Sequence, residues 1–317
     1  MSPSRERILV TGGTGFLGAN LVPALVAAGH DVHLVVRPDS SRSRLTRIAR
    51  QVTFHVADLL DRPALRGALD TCRPNVIFHL AGYGVLPSQR DRDGILEGNV
   101  LATANLLTAL EGHNYRRLVQ AGSSAEYGAG EGPMREQDRL EPSTDYGVAK
   151  ASATLLCQAE NHKGRSVATV RIFTAFGPWE PMPRLVPYVM HCCRNQEAPR
   201  LSSGRQERDF ICVEDVVALL MLAATHDGAG GQILHAATGT LTSVRQVVET
   251  IIAISGARLA PVYGTVPRRL GEPDRWAASI ERTTALTGWR PRLDLRTALQ
   301  RLWDWNQSQC PSVLPAA

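Results

Sequence analysis

Thr11-Gly12-Gly13-Thr14-Gly15-Phe16-Leu17-Gly18 lies between a short apolar run, Arg7 to Thr11, and a segment from Gly15 to Gly29 whose apolar residues recur at helical spacing. Strand, glycine-rich turn and helix in that order make a unit in which a dinucleotide's pyrophosphate can approach backbone amides at a helix N-terminus. Gly12 suits the turn, Gly15 the close approach and Gly18 the packing of helix on sheet, with Thr14, Phe16 and Leu17 in the same cradle. A glycine trio also occurs in tight turns that bind no cofactor, so its placement after a strand and before a helix is what points to a nucleotide.

Outward from this unit the alternation repeats. Strand patterns at Asp31 to Val36, Val52 to Val56, Asn75 to Leu80, Arg117 to Gly122 and Ser166 to Ile172 are separated by helical ones. The helices start at Asp61 with Pro63 in the first turn, run around Gly94 to Asn114, and run through Tyr146 to His162. Such alternation specifies an α/β chain with a doubly wound parallel (Rossmann) sheet covered on both faces. After Phe173, Gly177, Pro178, Pro181, Pro183 and Pro187 crowd into a short stretch. Residues 1–173 therefore read as the dinucleotide-binding domain and 174–317 as a smaller, mainly substrate-binding domain. The second part carries strand patterns at Asp209 to Cys212 and Gln232 to Ala236, and the chain is expected to return to the first domain around 209–237.

Composition removes several function classes. Of 317 residues, 44% are hydrophobic and 21% charged, and 35 basic against 30 acidic groups leave +5 with no Lys/Arg block. Neither a nucleic-acid nor a membrane partner is expected. The polar N-terminus and the short apolar stretch Leu21 to Ala28, which contains Pro23, imply no leader and no membrane span, hence a cytoplasmic enzyme. The 6 cysteines form no C-x-x-C pair and read as reduced core thiols; with no helical His pair either, no metal is expected.

Chemistry enters with Tyr146-Gly147-Val148-Ala149-Lys150. Residues four apart share a helix face, which brings an ammonium near a phenol and is expected to lower the phenol's pKa. The chain has only 2 lysines, Lys150 and Lys163, and uses arginine elsewhere, so a lysine here is a choice of a compact, strongly hydrated cation. The strand Arg117 to Gly122 runs into Ser123 and Ser124 at its C-terminal end, where ligands bind in such sheets. Asp58-Leu59 after the third strand could meet an adenine, and His79-Leu80-Ala81-Gly82 ends the fourth strand beside the expected cofactor.

With these motifs the chain resembles the extended short-chain dehydrogenase/reductases, in particular the nucleotide-sugar epimerase/dehydratase group. The likeness also takes in Asn99 in Asn-Val-Leu-Ala-Thr, Arg208-Asp209-Phe210 before Val-Glu-Asp, and Gly288-Trp289-Arg290-Pro291. It implies that Ser123, Tyr146 and Lys150 are the catalytic trio, that Asn99 is a structural or proton-relay residue, and that Lys150 also holds the nicotinamide ribose. It further implies a nucleotide-sugar substrate and a homodimer formed by the helix after Asn99 and the helix bearing Tyr146.

Departures from the pattern narrow the reaction. Dehydratases of this group carry an acid pair directly after the catalytic serine or threonine, where this chain has Ser124 and Ala125, so dehydration is disfavoured. Glu126 falls where the group has an apolar residue and reads as a supporting or solvated carboxylate. Val36 ends the second strand where an NAD enzyme would place an acid, and Arg37 and Arg42 follow, which favours NADP(H) over NAD(H). Arg44, Arg47 and Arg50 read as a solvated loop. Arg208 and Arg269 match arginines that hold the substrate's pyrophosphate, while Ser124 and Thr174 face the sugar side. The expectation is an NADP(H)-dependent reductase of a nucleotide-linked 4-keto-6-deoxyhexose, with an NAD-dependent 4-epimerase as the alternative and a catalytically idle nucleotide-binding protein as the third.

Overall fold

Six strands follow the expected pattern: β1 (Arg7–Thr11), β2 (Asp31–Val36), β3 (Val52–Val56), β4 (Val76–His79), β5 (Arg117–Ser123) and β6 (Val167–Ile172). They are seen in a computed structural model that describes residues 5–130, 132–267 and 273–308. Next, β7 (Thr174–Phe176) and β8 (Glu207–Cys212) leave for a second sheet, and β9 (Ile233–Ala236) returns to pair with β6. The large sheet has seven strands in the order β3-β2-β1-β4-β5-β6-β9, every pairing parallel. The fold class is thus a Rossmann-type α/β sheet.

Helices cover both faces because alternate strand residues point to opposite sides. Ile8, Val10, Leu34 and Phe78 share one apolar cluster with α1 (Phe16–Ala27); Leu9, Val35 and Ile77 share another with α2 (Arg62–Cys72). The Asp61 carboxylate accepts from Ala64 N at 3.0 Å and caps α2, as Pro63 in the first turn suggests. Each fully buried aliphatic side chain contributes about 1.5–3 kcal/mol.

The segment expected as one helix around Gly94 to Asn114 is broken. It comprises α3 (Arg92–Leu96), a π-helical turn Glu97–Leu101 and α4 (Ala102–Ala109). The cause is Asn99, whose side-chain amide donates to Ile95 O at 2.7 Å and so inserts into the backbone ladder. The arginine-rich run after β2 is likewise no loop: Ser43–Gln51 forms a 3-10 helix that buries Leu45.

On the far side of α5 (Asp145–His162) the chain builds the second sheet. Its helices are α6 (Leu185–Asn195) and α8 (Val244–Ser255), whereas α7 (Val213–Thr225) covers the large sheet. Its strands centre on β8, which pairs antiparallel with β10 (Leu241–Ser243) and parallel with β7 and β11 (Arg275–Trp276). After α9 (Glu281–Thr287), α10 (Leu295–Ser308) closes this part over Phe176, Val189, Phe210 and Ile251. Among the described residues no helix is long and apolar enough to cross a membrane.

Candidate active site

The glycine turn sits against the end of β4. Gly12 has φ +69, and a Cβ there would lie 2.6 Å from Ala81 N, so neither the conformation nor the space admits a side chain. A Cβ on Gly18 would fall 2.4 Å from Gly12 O. Gly15 enters α1 in extended conformation with no side-chain cap, and the first turn holds no acid. The leading amides of α1 are thereby left to an anion, which is what a dinucleotide pyrophosphate requires. Phe16 and Leu17 pack on the sheet core, and the Thr14 carbonyl accepts from Arg44 Nη1 at 3.2 Å. Arg44 lies in an arginine-rich run that reads as solvated; the apolar Leu45 beside it is the signal in the sequence that this run packs on the protein.

At the end of β2, Val36 is buried. Arg37 is paired with Asp39 at 3.3 Å on an exposed surface, and the Arg42 guanidinium lies 4.4 Å from the Phe54 ring centroid. Asp58 accepts from Leu60 N at 2.8 Å, and Asn105 donates to Leu59 O at 2.9 Å, fixing the turn after β3.

A buried relay backs the loop after β4. Thr103 Oγ1 donates to Asn99 O at 2.5 Å and so accepts from His79 Nε2 at 3.0 Å; His79 Nδ1 then accepts from Thr11 Oγ1 at 2.7 Å. Burial, with the Lys150 charge adding to it, lowers the His79 pKa to about 3, so this ring is neutral. Leu80 N donates to Thr11 O and Ala81 N to Thr11 Oγ1, which ties both residues to the end of β1. The Asn99 amide donates to Tyr83 O at 2.7 Å as well as to Ile95 O. These two bonds clamp the loop after β4 to the segment that carries Asn99.

Ser123 is the last residue of β5 and caps the single turn Ser124–Glu126, accepting from Ala125 N at 3.2 Å. The first turn of α5 presses on this turn: a Cβ on Gly147 would lie 2.4 Å from Ala125 O. Thr144 caps α5 by accepting from Gly147 N at 3.1 Å. This close approach brings Tyr146 beside Ser123, whose hydroxyl favours the phenolate. Lys150, buried one turn on, donates to Ala121 O of β5.

The expected lowering of the Tyr146 pKa by Lys150 does not occur in this structure. The residue is half-buried, but desolvation pushes its pKa up to about 12; the Ser123 hydroxyl and Arg184 pull it down, and Glu126 adds to the rise. The ammonium is turned to a carbonyl of β5 instead. Burial also lowers the Lys150 pKa, opposed by the Glu126 carboxylate.

On the substrate side, Ser124 is buried beside Ser123 and Thr174 begins β7. Arg208 is buried on β8, donates from Nη1 to Glu207 O at 2.9 Å and Asp274 O at 3.1 Å, and lies 5.1 Å from the Trp276 ring centroid. Asp209 beside it accepts from Thr238 N and Gly239 N, both at 2.7 Å, and burial raises its pKa to about 6. Arg269 lies outside the described residues. The trio, the glycine turn and Leu80-Ala81 thus meet at the C-terminal ends of β1, β4 and β5, whereas Arg37, Arg42 and Arg208 stand on other elements.

Sequence reasoning also missed the Glu180–Arg184 pair. Glu180, 4% exposed, accepts from Arg184 Nε at 2.6 Å, and burial outweighs that partner to raise its pKa to about 7.

Residues 8–237 match the NAD dependent epimerase/dehydratase family. Over 325 residues the chain is 26% identical to the UDP-glucose 4-epimerase of Halalkalibacterium halodurans, covering 95% of each protein. It is 29% identical over 313 residues to the GDP-6-deoxy-D-mannose reductase of Pseudomonas aeruginosa, covering 95% of this chain and 97% of that protein. Among solved structures, MoeE5 in complex with UDP-glucuronic acid and NAD is 31% identical, with a TM-score of 0.83 and coverage of 95% of this chain and 98% of that one.

Proposed function

The chain belongs to the NAD dependent epimerase/dehydratase family, and from that premise we propose that it is a nucleotide-sugar 4-epimerase that keeps NAD(H) bound through turnover. The observation that carries this is the close packing of α5 on the Ser123 turn, with Tyr146 in the first turn of α5 and Lys150 one turn along it bonded to Ala121 O, at the strand ends beside the glycine turn. Ala125 stands where dehydration would need an acid, and Glu126 is tied to Arg171 at 2.7 Å. The site is therefore suited to one proton moving to and from one sugar oxygen. The sequence favoured the 4-ketoreductase; the similarity to UDP-glucose 4-epimerases moves the preference to the alternative.

Gly12, Thr14, Gly15, Phe16, Leu17 and Gly18 would hold the cofactor's pyrophosphate, Asp58 and Leu59 its adenine side, and Leu80, Ala81, Tyr146 and Lys150 its nicotinamide half. A bound NAD would supply the acceptor and donor of hydride for C4 of the sugar. Tyr146 takes the proton of the 4-hydroxyl and later gives it back, while Ser123 donates to the same oxygen as it becomes a carbonyl. Asn99 holds the loop against which the sugar turns over. Ser124 and Thr174 face the sugar, and Arg208 faces its pyrophosphate. A second copy would cover the exposed Leu101, Val148 and Leu155 beside the site.

One feature favours a 4-ketoreductase using NADP(H): Val36 in place of an acid, with Arg37, Arg42 and Arg44 following. Incubating the purified protein with UDP-sugars and no added cofactor separates the two. Epimers at C4 with nucleotide retained through purification support the epimerase; stoichiometric NADPH oxidation by a nucleotide 4-keto sugar, without epimers, supports the reductase.

A further inference from the structure

Glu126 is 0% exposed and its pair partner Arg171 2%. Its Oε1 accepts from Ser123 N at 2.8 Å and its Oε2 accepts from Arg171 Nε at 2.7 Å. Arg171 in turn donates from Nη1 to Tyr127 Oη and, at 3.1 Å, to Glu136 O, with its guanidinium 4.5 Å from the Tyr127 ring centroid. The Tyr127 hydroxyl donates to His235 Nε2 at 2.6 Å, and His235 Nδ1 donates to Ser279 O at 2.9 Å. The Ser123 turn is thus anchored through Glu126 to β6, β9 and the residues leading into α9. Room for the carboxylate is reserved at Gly122, where a Cβ would lie 2.8 Å from Glu126 Oε1.

A buried ion pair is weak evidence of stabilisation, because desolvating two charges offsets their attraction and apolar replacements are often neutral. Its location under the catalytic serine is the informative feature. We propose that Glu126 is a positioning residue for the reaction: held by Arg171, it locks the Ser123 turn against β6 so that the serine hydroxyl stays beside Tyr146, and it sets a carboxylate beneath the site. This rests on the catalytic trio of the proposed epimerase. The charged and titratable groups facing Tyr146 and Lys150 are Glu126 from the turn, Arg184 from the start of α6, His79 from β4 and Cys157 from α5 itself. Arg171 on β6 holds Glu126 from behind. Glu126 acts on both Tyr146 and Lys150, favouring the protonated form of each.

Two variants of the full chain separate the roles. Glu126→Gln keeps an acceptor for Ser123 N but removes the charge; Glu126→Asp keeps the charge but is one methylene too short to reach both partners. The readouts are the phenolate absorbance of the NAD-loaded protein against pH, taken as the difference from a Tyr146→Phe reference, and kcat and KM on the nucleotide sugar. In Glu126→Gln the Tyr146 phenolate should appear about one pH unit lower, since removing a neighbouring negative charge favours the anion. In Glu126→Asp the onset should stay put while kcat falls about tenfold with KM unchanged, the mark of lost orientation in the transition state. An unmoved onset in folded Glu126→Gln, or an unchanged kcat in Glu126→Asp, overturns the proposal. Should Glu126→Gln fail to fold, Glu126→Asp alone decides it. The phenolate readout needs no sugar, so a protein that moves its onset but epimerises nothing refutes the function and not the role of Glu126.

Discussion

Two rims of the same sheet are built differently. At the ends of β4, β5 and β6, the polar groups of His79, Asn99, Glu126, Arg171 and Lys150 are buried and bonded to backbone, to one another or, for His79, to the hydroxyls of Thr11 and Thr103. At the end of β2, the Arg37 side chain is 60% exposed and its partner Asp39 74%, and Arg42 rests on Phe54. The first arrangement fixes geometry, because breaking a buried pair leaves an uncompensated charge. The second fixes little, since an exposed pair contributes about 0–1 kcal/mol. In the proposed epimerase the groups assigned to proton transfer would therefore be held by the framework of the fold, and those assigned to cofactor preference would be surface side chains.

Four substitutions sharpen that contrast. The largest effect belongs to the buried rim: Tyr146→Phe removes the transferable proton, and turnover should fall by about two to four orders of magnitude with cofactor still bound. Activity near that of the native protein would remove Tyr146 from the mechanism. Arg208→Ala, in the second sheet, should weaken nucleoside diphosphate binding by about 1.5–3 kcal/mol if the contact is a charge-assisted hydrogen bond. Calorimetric titration with UDP reads it, and an unchanged affinity would take Arg208 out of the substrate site.

Glu180→Gln has a smaller, pH-dependent effect. The Glu180 pKa is raised from 4.5 to about 7, so its protonated form is favoured by folding, and that contribution is full below about 4.5 and lost as pH rises through 7. Gln cannot ionise, so the variant's stability relative to the native protein should rise across this window; melting temperatures at a series of pH values check the slope. The smallest effect is expected at the exposed rim. Arg37→Ala should change the ratio of NADP(H) to NAD(H) affinity by about 1 kcal/mol or less. A larger loss would mean that this rim, too, is built to hold its ligand.

The same contrast explains what could be read from the sequence. The six strands of the first half and the spacing of Tyr146 and Lys150 are local patterns, carried by periodicities of two and of about 3.6 residues. The Glu126–Arg171 pair joins positions 45 apart in the chain, and no local spacing announces it. The rise in the Tyr146 pKa was illegible for a related reason: it comes from burial assembled by β5, α5 and the turn between them, which outweighs any neighbour on its own helix. The π-helical turn arose from one asparagine side chain competing for a backbone carbonyl. β7, β10 and β11, at three, three and two residues, are too short to show alternation.

The central claim is that one bound cofactor removes and restores the hydrogen at C4 while Tyr146 handles the proton. It is tested most directly with a nucleotide sugar deuterated at C4, incubated with the purified protein without added NAD(P)(H) and examined by mass spectrometry and NMR. Epimerised product that retains the deuterium at C4 is the predicted result. Product formed only when NADPH is supplied, or deuterium lost to the medium, would contradict it.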